Sequence, residues 1–188
     1  IKLIYQNEFQ AEHLINNRAN VVNSLKQEIE NNHLNSHFFI ENIGNDTVRF
    51  HLANCDEKIQ TLISHFFILH LDDKVKSNES FYQKCNELIE LTEKNSNFLK
   101  DEPIKEFISD YFTNGIRAIH HSEDFRTHNI VHYRVMPRKN AVMLMICLNA
   151  LEKVAKNGQC IIAIDGRCGS GKTTIADILQ QSLDSDLI

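Results

Sequence analysis

The sequence predicts a mainly α protein, with an N-terminal helical domain over residues 1–158 and a different unit over 159–188. Three observations carry this. Only six Gly and two Pro occur in 188 residues and Trp is absent, too little turn material for an all-β sandwich or barrel. Apolar residues recur every three or four positions through most of the chain. The last thirty positions instead read as a short strand, a glycine loop and a helix.

Ala11, Leu14, Ile15, Val22, Leu25 and Ile29 alternate with Glu12, Asn16, Arg18, Lys26 and Glu30, which predicts one amphipathic helix. Asn31 to Asp46, rich in Asn and His and containing Gly44, reads as a connector, with Asn45 or Asp46 as a cap. Val48, Leu52, Cys55, Ile59, Leu62, Ile63, Phe66 and Leu69 then step by three or four, predicting a long helix that ends near Asp72. Beyond the polar break from Lys74 to Asn78, Phe81, Cys85, Leu88 and Ile89 mark a third helix, closed by Lys94 to Asn97. Pro103 opens a fourth, carrying Ile104, Phe107, Ile108, Tyr111 and Phe112 and ending at Asn114-Gly115. Pro137 opens a fifth. Its run from Ala141 to Leu148 is apolar on every side, as in a helix at the centre of a bundle, and its charged tail stops at Asn157-Gly158. At least five helices before Gln159 are therefore expected, with very little strand outside Cys160 to Asp165.

Cys160-Ile161-Ile162-Ala163-Ile164 is apolar on both faces and too short for a helix, as in a buried parallel strand. Such a strand needs a partner, which is expected to be a second copy of the chain, making a homo-oligomer, or protein outside these residues. Gly166-Arg167-Cys168-Gly169-Ser170-Gly171-Lys172-Thr173 follows, matching GxxxxGK(S/T) at every fixed position, and Ile175, Ala176, Ile178, Leu179 and Leu183 continue as a helix. The spacing has a physical reason. Glycines let consecutive N–H groups converge on polyphosphate oxygens, and the helix adds the positive end of its dipole. Lys172 would bring an ammonium to the β/γ-phosphates as the catalytic cation. Thr173 would supply a hydroxyl ligand for the Mg²⁺ that travels with ATP. The expected nucleotide-binding set is Gly166, Arg167, Cys168, Gly169, Ser170, Gly171, Lys172, Thr173 and Thr174. Cys168 reads either as a reactive thiol or as a tolerated small side chain.

The stretch IIAIDGRCGSGKTTIADIL resembles the first strand, P-loop and first helix of the P-loop nucleoside and nucleotide kinases, and is most similar to uridine kinase-like proteins. Asp165 before Gly166 and the GSGKTT ending carry that likeness, which spans about the last 30 residues. It implies the start of an α/β P-loop NTPase domain, with ATP, Mg²⁺ and phosphoryl transfer to a small-molecule acceptor. Kinase domains of this kind continue with further strands, an acidic residue and lid arginines, so residues 159–188 are expected to be the truncated start of one. The 188 residues alone are expected to be inactive. A helical binding or regulatory module with a nucleotide-switch or inert P-loop is the alternative.

Other features set bounds. Twenty Lys and Arg against 25 Asp and Glu give a formal net charge of -5, which argues against general nucleic-acid affinity. The longest apolar run is far shorter than the roughly 20 residues of a membrane span. Five Cys without CxxC spacing fit a reducing cytoplasm better than a disulfide framework or zinc ribbon. The opening IKLIYQNEFQ has neither a basic stretch and apolar core of a secretory signal nor an initiator Met, so a start upstream is expected. His65, His70, Asp72 and Asp73, and His120, His121, Glu123, Asp124, His128 and His132, are close in sequence but lack a diagnostic ligand pattern, and no metal site is expected among them. Arg117, Arg126, Arg134, Arg138 and Lys139 form a locally basic stretch, read as a solvated, ion-paired face in preference to an anion site.

Overall fold

The structure, a computed structural model, describes residues 1–10, 18–31, 35–69, 77–95, 104–128 and 132–184. Eight helices and three strands lie among them: α1 Lys2–Phe9, α2 Arg18–Asn31, β1 Phe39–Gly44, β2 Thr47–His51, α3 Glu57–Ile68, α4 Asn78–Lys94, α5 Ile104–Thr113, α6 Glu123–His128, β3 Tyr133–Pro137, α7 Arg138–Asn157 and α8 Lys172–Asp184. Seven helices precede Gln159, so the mainly helical reading holds.

The strands overturn the rest of that expectation. They form an antiparallel sheet in the order β1-β2-β3, built wholly from residues before Gln159. Val48 and Phe50 are fully buried while Arg49 and His51 are only half-buried, the period-2 alternation of a strand with one face on a core. The single helix expected from Val48 to Leu69 is thus a strand followed by a helix. Helical spacing at positions 48, 52, 55 and 59 concealed the alternation because Phe50 falls between its steps. The break comes at Asp56, whose carboxylate accepts a hydrogen bond from the Ile59 N–H at 2.9 Å and caps α3.

The presumed connector holds β1 and the hairpin turn. Asn45 and Asp46, with φ of 51° and 50°, occupy the two central positions between β1 and β2, where a tight hairpin requires left-handed residues and Asn and Asp supply them most readily.

Elsewhere the helical signals hold. Helices α4 and α5 fall where the third and fourth were expected, and α7 follows Pro137 and ends at Gly158, whose φ of 77° is the left-handed stop. Helix α7 is not buried on every side, as its run from Ala141 to Leu148 led one to expect: Ala141, Leu144 and Cys147 are buried, while Val142 is 42% exposed. Helix α2 covers the second half of the first expected helix; Ala11 to Asn17 lie outside the described residues, as do His70, Asp72, Asp73 and Pro103.

Two apolar cores result. The larger joins α2, the sheet, α3 and α7 around Leu25, Phe50, Leu62, Phe66, Met136 and Leu144. Leu179 of α8 is buried in the same core. The smaller is aromatic: Tyr5 and Phe9 of α1 pack on Phe81 of α4, with ring centroids 6.3 and 5.5 Å away, and on Ile108 and Tyr111 of α5. Glu8, nearly buried beside it, is paired with Lys84 and accepts from Ser80 Oγ at 3.1 Å.

The strand expected at Cys160 to Asp165 does not form. No ladder reaches it among the described residues, and Ile161 and Ile162 are 90% and 38% exposed. An extended apolar segment becomes a strand only when a neighbour accepts and donates its backbone hydrogen bonds. The three-stranded sheet ends at β1 and β3 and does not offer one.

Candidate functional site: the glycine loop and its adjoining cleft

Gly166 to Gly171 lie at the surface, and α8 begins at Lys172. Gly169 and Gly171 take φ of 76° and 81°, values that side chains resist. At Gly166 space is the constraint: a Cβ there would stand 2.7 Å from Ser170 Oγ. A side chain at Gly166 would require the exposed Ser170 hydroxyl to turn away. Asp165 Oδ1 accepts from the Gly166 N–H at 2.7 Å, and the Ser170 N–H donates to the Arg167 carbonyl at 3.2 Å.

Lys172 folds back over this loop. Its ammonium donates to the carbonyls of Gly166 at 2.6 Å and Arg167 at 2.8 Å, so one cation is held at both sides of the turn. At the junction the Ile175 N–H donates to the Gly171 carbonyl at 3.0 Å. The N–H groups of the first turn, Lys172, Thr173 and Thr174, have no intrahelical acceptor, which gives this end its positive character. Thr173 and Thr174 are exposed on that turn. The glycines, the bent-back ammonium and the first-turn N–H groups are thus gathered at the N-terminal end of α8.

No family model, curated protein or solved structure matches the chain. The site is accordingly argued from its own geometry.

Ser170, Gly171 and Thr174 also form one edge of a cleft of about 910 Å³. The N-terminal helical part supplies the facing walls: Gln10 after α1, Asn45 and Asp46 of the hairpin turn, Phe66 and Leu69 of α3, and the first turns of α7. Two contacts fix these walls. The Arg138 N–H donates to the Asp46 carbonyl at 2.7 Å, and the buried Asn140 amide donates to the Phe66 carbonyl at 3.3 Å. Of the expected nucleotide-binding residues, only Ser170, Gly171 and Thr174 line this cleft; the others belong to the loop itself.

The locally basic stretch is divided between roles. Arg134 is buried, pairs with Glu28 at 2.7 Å and stacks over Phe67, whereas Arg138 and Lys139 reach the cleft. Of the His and Asp residues close in sequence, His70, Asp72 and Asp73 lie outside the described residues. His132 is buried before β3, and its two ring nitrogens have no hydrogen-bond partner among the described residues. Burial pushes its pKa below the usual imidazole range; Glu28 opposes that shift and Arg134 adds to it. The folded state therefore holds His132 neutral, whereas the unfolded chain takes up a proton as pH falls below about 6.5. This contribution to stability is fully present above that pH and is lost on acidification through the lower, folded-state value. Replacing His132 with Leu should flatten the stability profile between about pH 7 and 5, measured as urea midpoints for both proteins. Equal acid losses would refute the assignment.

A polar network that the sequence did not flag covers the solvent-side face of the sheet. Glu41 binds Arg49 at 3.1 Å and His51 at 3.0 Å; Arg49 reaches Gln6 at 3.2 Å and lies over the Tyr133 ring. The His51 hydrogen bond, with help from Arg49, holds the Glu41 carboxyl below its usual range against some desolvation. The Glu41 pairs run across the β1–β2 strands, while the Gln6 contact ties the sheet to α1.

Proposed function

We propose that Gly166 to Thr173 binds ATP with Mg²⁺, and that the chain belongs to an ATP-dependent small-molecule kinase, uridine kinase-like in its loop. The observation that carries this reading is the loop's build: a glycine where a Cβ would strike Ser170, and the Lys172 ammonium drawn back over the turn. Backbone N–H groups from Gly169 to Lys172 would hold phosphate oxygens, with Arg167, Cys168 and Thr174 flanking them. Lys172 donates to the phosphate and offsets charge that grows there during transfer, which is its catalytic role. Thr173 Oγ would ligate Mg²⁺, which when bound neutralises the β- and γ-phosphate oxygens.

The five cysteines are free, and burial pushes the thiols of Cys55 and Cys147 up to about 12 and about 11, with Asp56 adding to the former. Such thiols resist oxidation, in keeping with a cytoplasmic setting. No helix among the described residues is long and apolar enough to cross a membrane.

The second reading, a helical regulatory module with a nucleotide switch or inert loop, is favoured by the unpaired segment from Cys160 to Ile164. Nucleotide binding and turnover separate the two. Calorimetric titration should find ATP binding that Mg²⁺ strengthens, and Thr173→Ala should remove most of the Mg²⁺ effect while leaving metal-free binding unchanged. ATP consumption that appears only when a small hydroxyl or phosphate acceptor is added supports the kinase. Because the 188 residues alone are expected to be inactive, consumption is read in the complete protein: binding there without any acceptor-dependent consumption supports the switch, and no binding supports the inert loop.

A further inference from the structure

We propose that the cleft beside the loop is the acceptor site, that it takes a small molecule combining an apolar ring with an anionic group, and that Arg138 binds that anion. The proposal rests on the kinase reading for the word acceptor; the ligand chemistry rests on the cleft alone.

The volume of about 910 Å³ is within the range of small-molecule pockets. Phe66, Leu69, Val142 and Met143 give it an apolar wall, which suits a ring and offers little to a purely polar compound. Arg138, Lys139 and Asp46 are the charged side chains of its lining. Arg138 is exposed, makes no side-chain ion pair among the described residues, and presents a planar fork suited to carboxylate or phosphate. Its backbone is pinned by the 2.7 Å bond to Asp46, so the base of the side chain is already placed.

Gln10 adds a polar side chain to the lining. Only 4% exposed, it lines the cleft at the end of α1 in a strained backbone conformation, φ 53° and ψ -132°. No side-chain hydrogen bond is made by its amide among the described residues, so a polar group in the cleft could pair with it.

Gly171 and Thr174 belong both to this cleft and to the phosphate-binding turn, so an acceptor here lies next to the loop. In transfer, the acceptor oxygen would bond the γ-phosphorus as the bond to the β–γ bridging oxygen breaks. ADP leaves, and the acceptor's proton passes to water. Residues of the N-terminal part, and not only of the loop unit, would then determine which acceptors are used.

The test uses the 188-residue chain with phenyl phosphate, phenol and inorganic phosphate as probes, followed by amide chemical shifts with and without ATP. Phenyl phosphate should bind at least about tenfold more tightly than either part alone, shift amides of residues 138–143 and 174, and remain bound when ATP is added. Arg138→Gln should weaken phenyl phosphate roughly tenfold and leave phenol and ATP unchanged; Arg138→Lys should recover part of the loss. Displacement of phenyl phosphate by ATP, affinity no better than phenol, or indifference to Arg138→Gln would each overturn the proposal. If the wild type bound phenyl phosphate as described but never ATP, the kinase reading would fall and the ring-and-anion cleft would stand.

Discussion

Lys172→Ala is expected to weaken ATP binding sharply and to reduce any acceptor-dependent ATP consumption by about 100-fold or more, the scale set by removing one donor aimed at developing charge. The structure supports a clean separation of this loss from folding. Lys172 lies outside both apolar cores, and its ammonium donates to the Gly166 and Arg167 carbonyls within the loop. Deleting it frees two carbonyls that water reaches at the surface, so the cost to the fold is small. Circular dichroism and urea midpoints should therefore coincide with wild type while the ATP titration collapses. Equal ATP affinity in the two proteins would remove the catalytic role assigned to Lys172, and with it the main support for the kinase reading.

The parts of the fold legible in the sequence are those where one local rule acts alone. Helix α4 has a single apolar stripe through Phe81 and Cys85 and a Ser77 cap, and α7 is bracketed by Pro137 and Gly158; their positions follow from those residues. The hairpin was hidden because β1 reads Phe39, Ile40, Glu41, Asn42, Ile43, Gly44, with apolar residues on both sides of the pleat and a register shift between Asn42 and Gly44. Its partner β3 is more than 80 residues further along the chain, so the pairing that stabilises it leaves no local trace. The strand expected at Cys160 to Asp165 failed for the complementary reason: its composition is suitable, but the hydrogen-bonding neighbour is not supplied. At the glycine loop, Gly169 and Gly171 take φ of 76° and 81°, the left-handed backbone for which glycine is suited, and α8 begins at Lys172 directly after them. The cleft was not legible. Gln10, Asp46, Phe66 and Arg138 come from four separate elements and meet only through tertiary packing.

Phe50→Ala should be among the most destabilising single substitutions in the chain, costing about 3–5 kcal/mol. Phe50 is fully buried on the middle strand, its ring stacked on Phe38 with centroids 5.7 Å apart. It sits in the core that also holds Phe66, Met136 and Leu144. Removing the ring deletes that burial and leaves a cavity bounded by the sheet on one side and by helices on the other, an arrangement that collapses poorly. For a domain whose total stability is about 5–15 kcal/mol, that is a large fraction, and at roughly 2–4 °C per kcal/mol the melting temperature should fall by about 6–20 °C. The comparison that gives the experiment its meaning is Glu41→Gln on the opposite face. Glu41 is partly exposed in its pairs with Arg49 and His51, so its loss should cost no more than about 1 kcal/mol at neutral pH. Urea unfolding of the two variants reads the alternation of the sheet directly. A loss below about 1 kcal/mol for Phe50→Ala would mean that this side chain does not face the core, and the inward side of β2 would have to be reassigned.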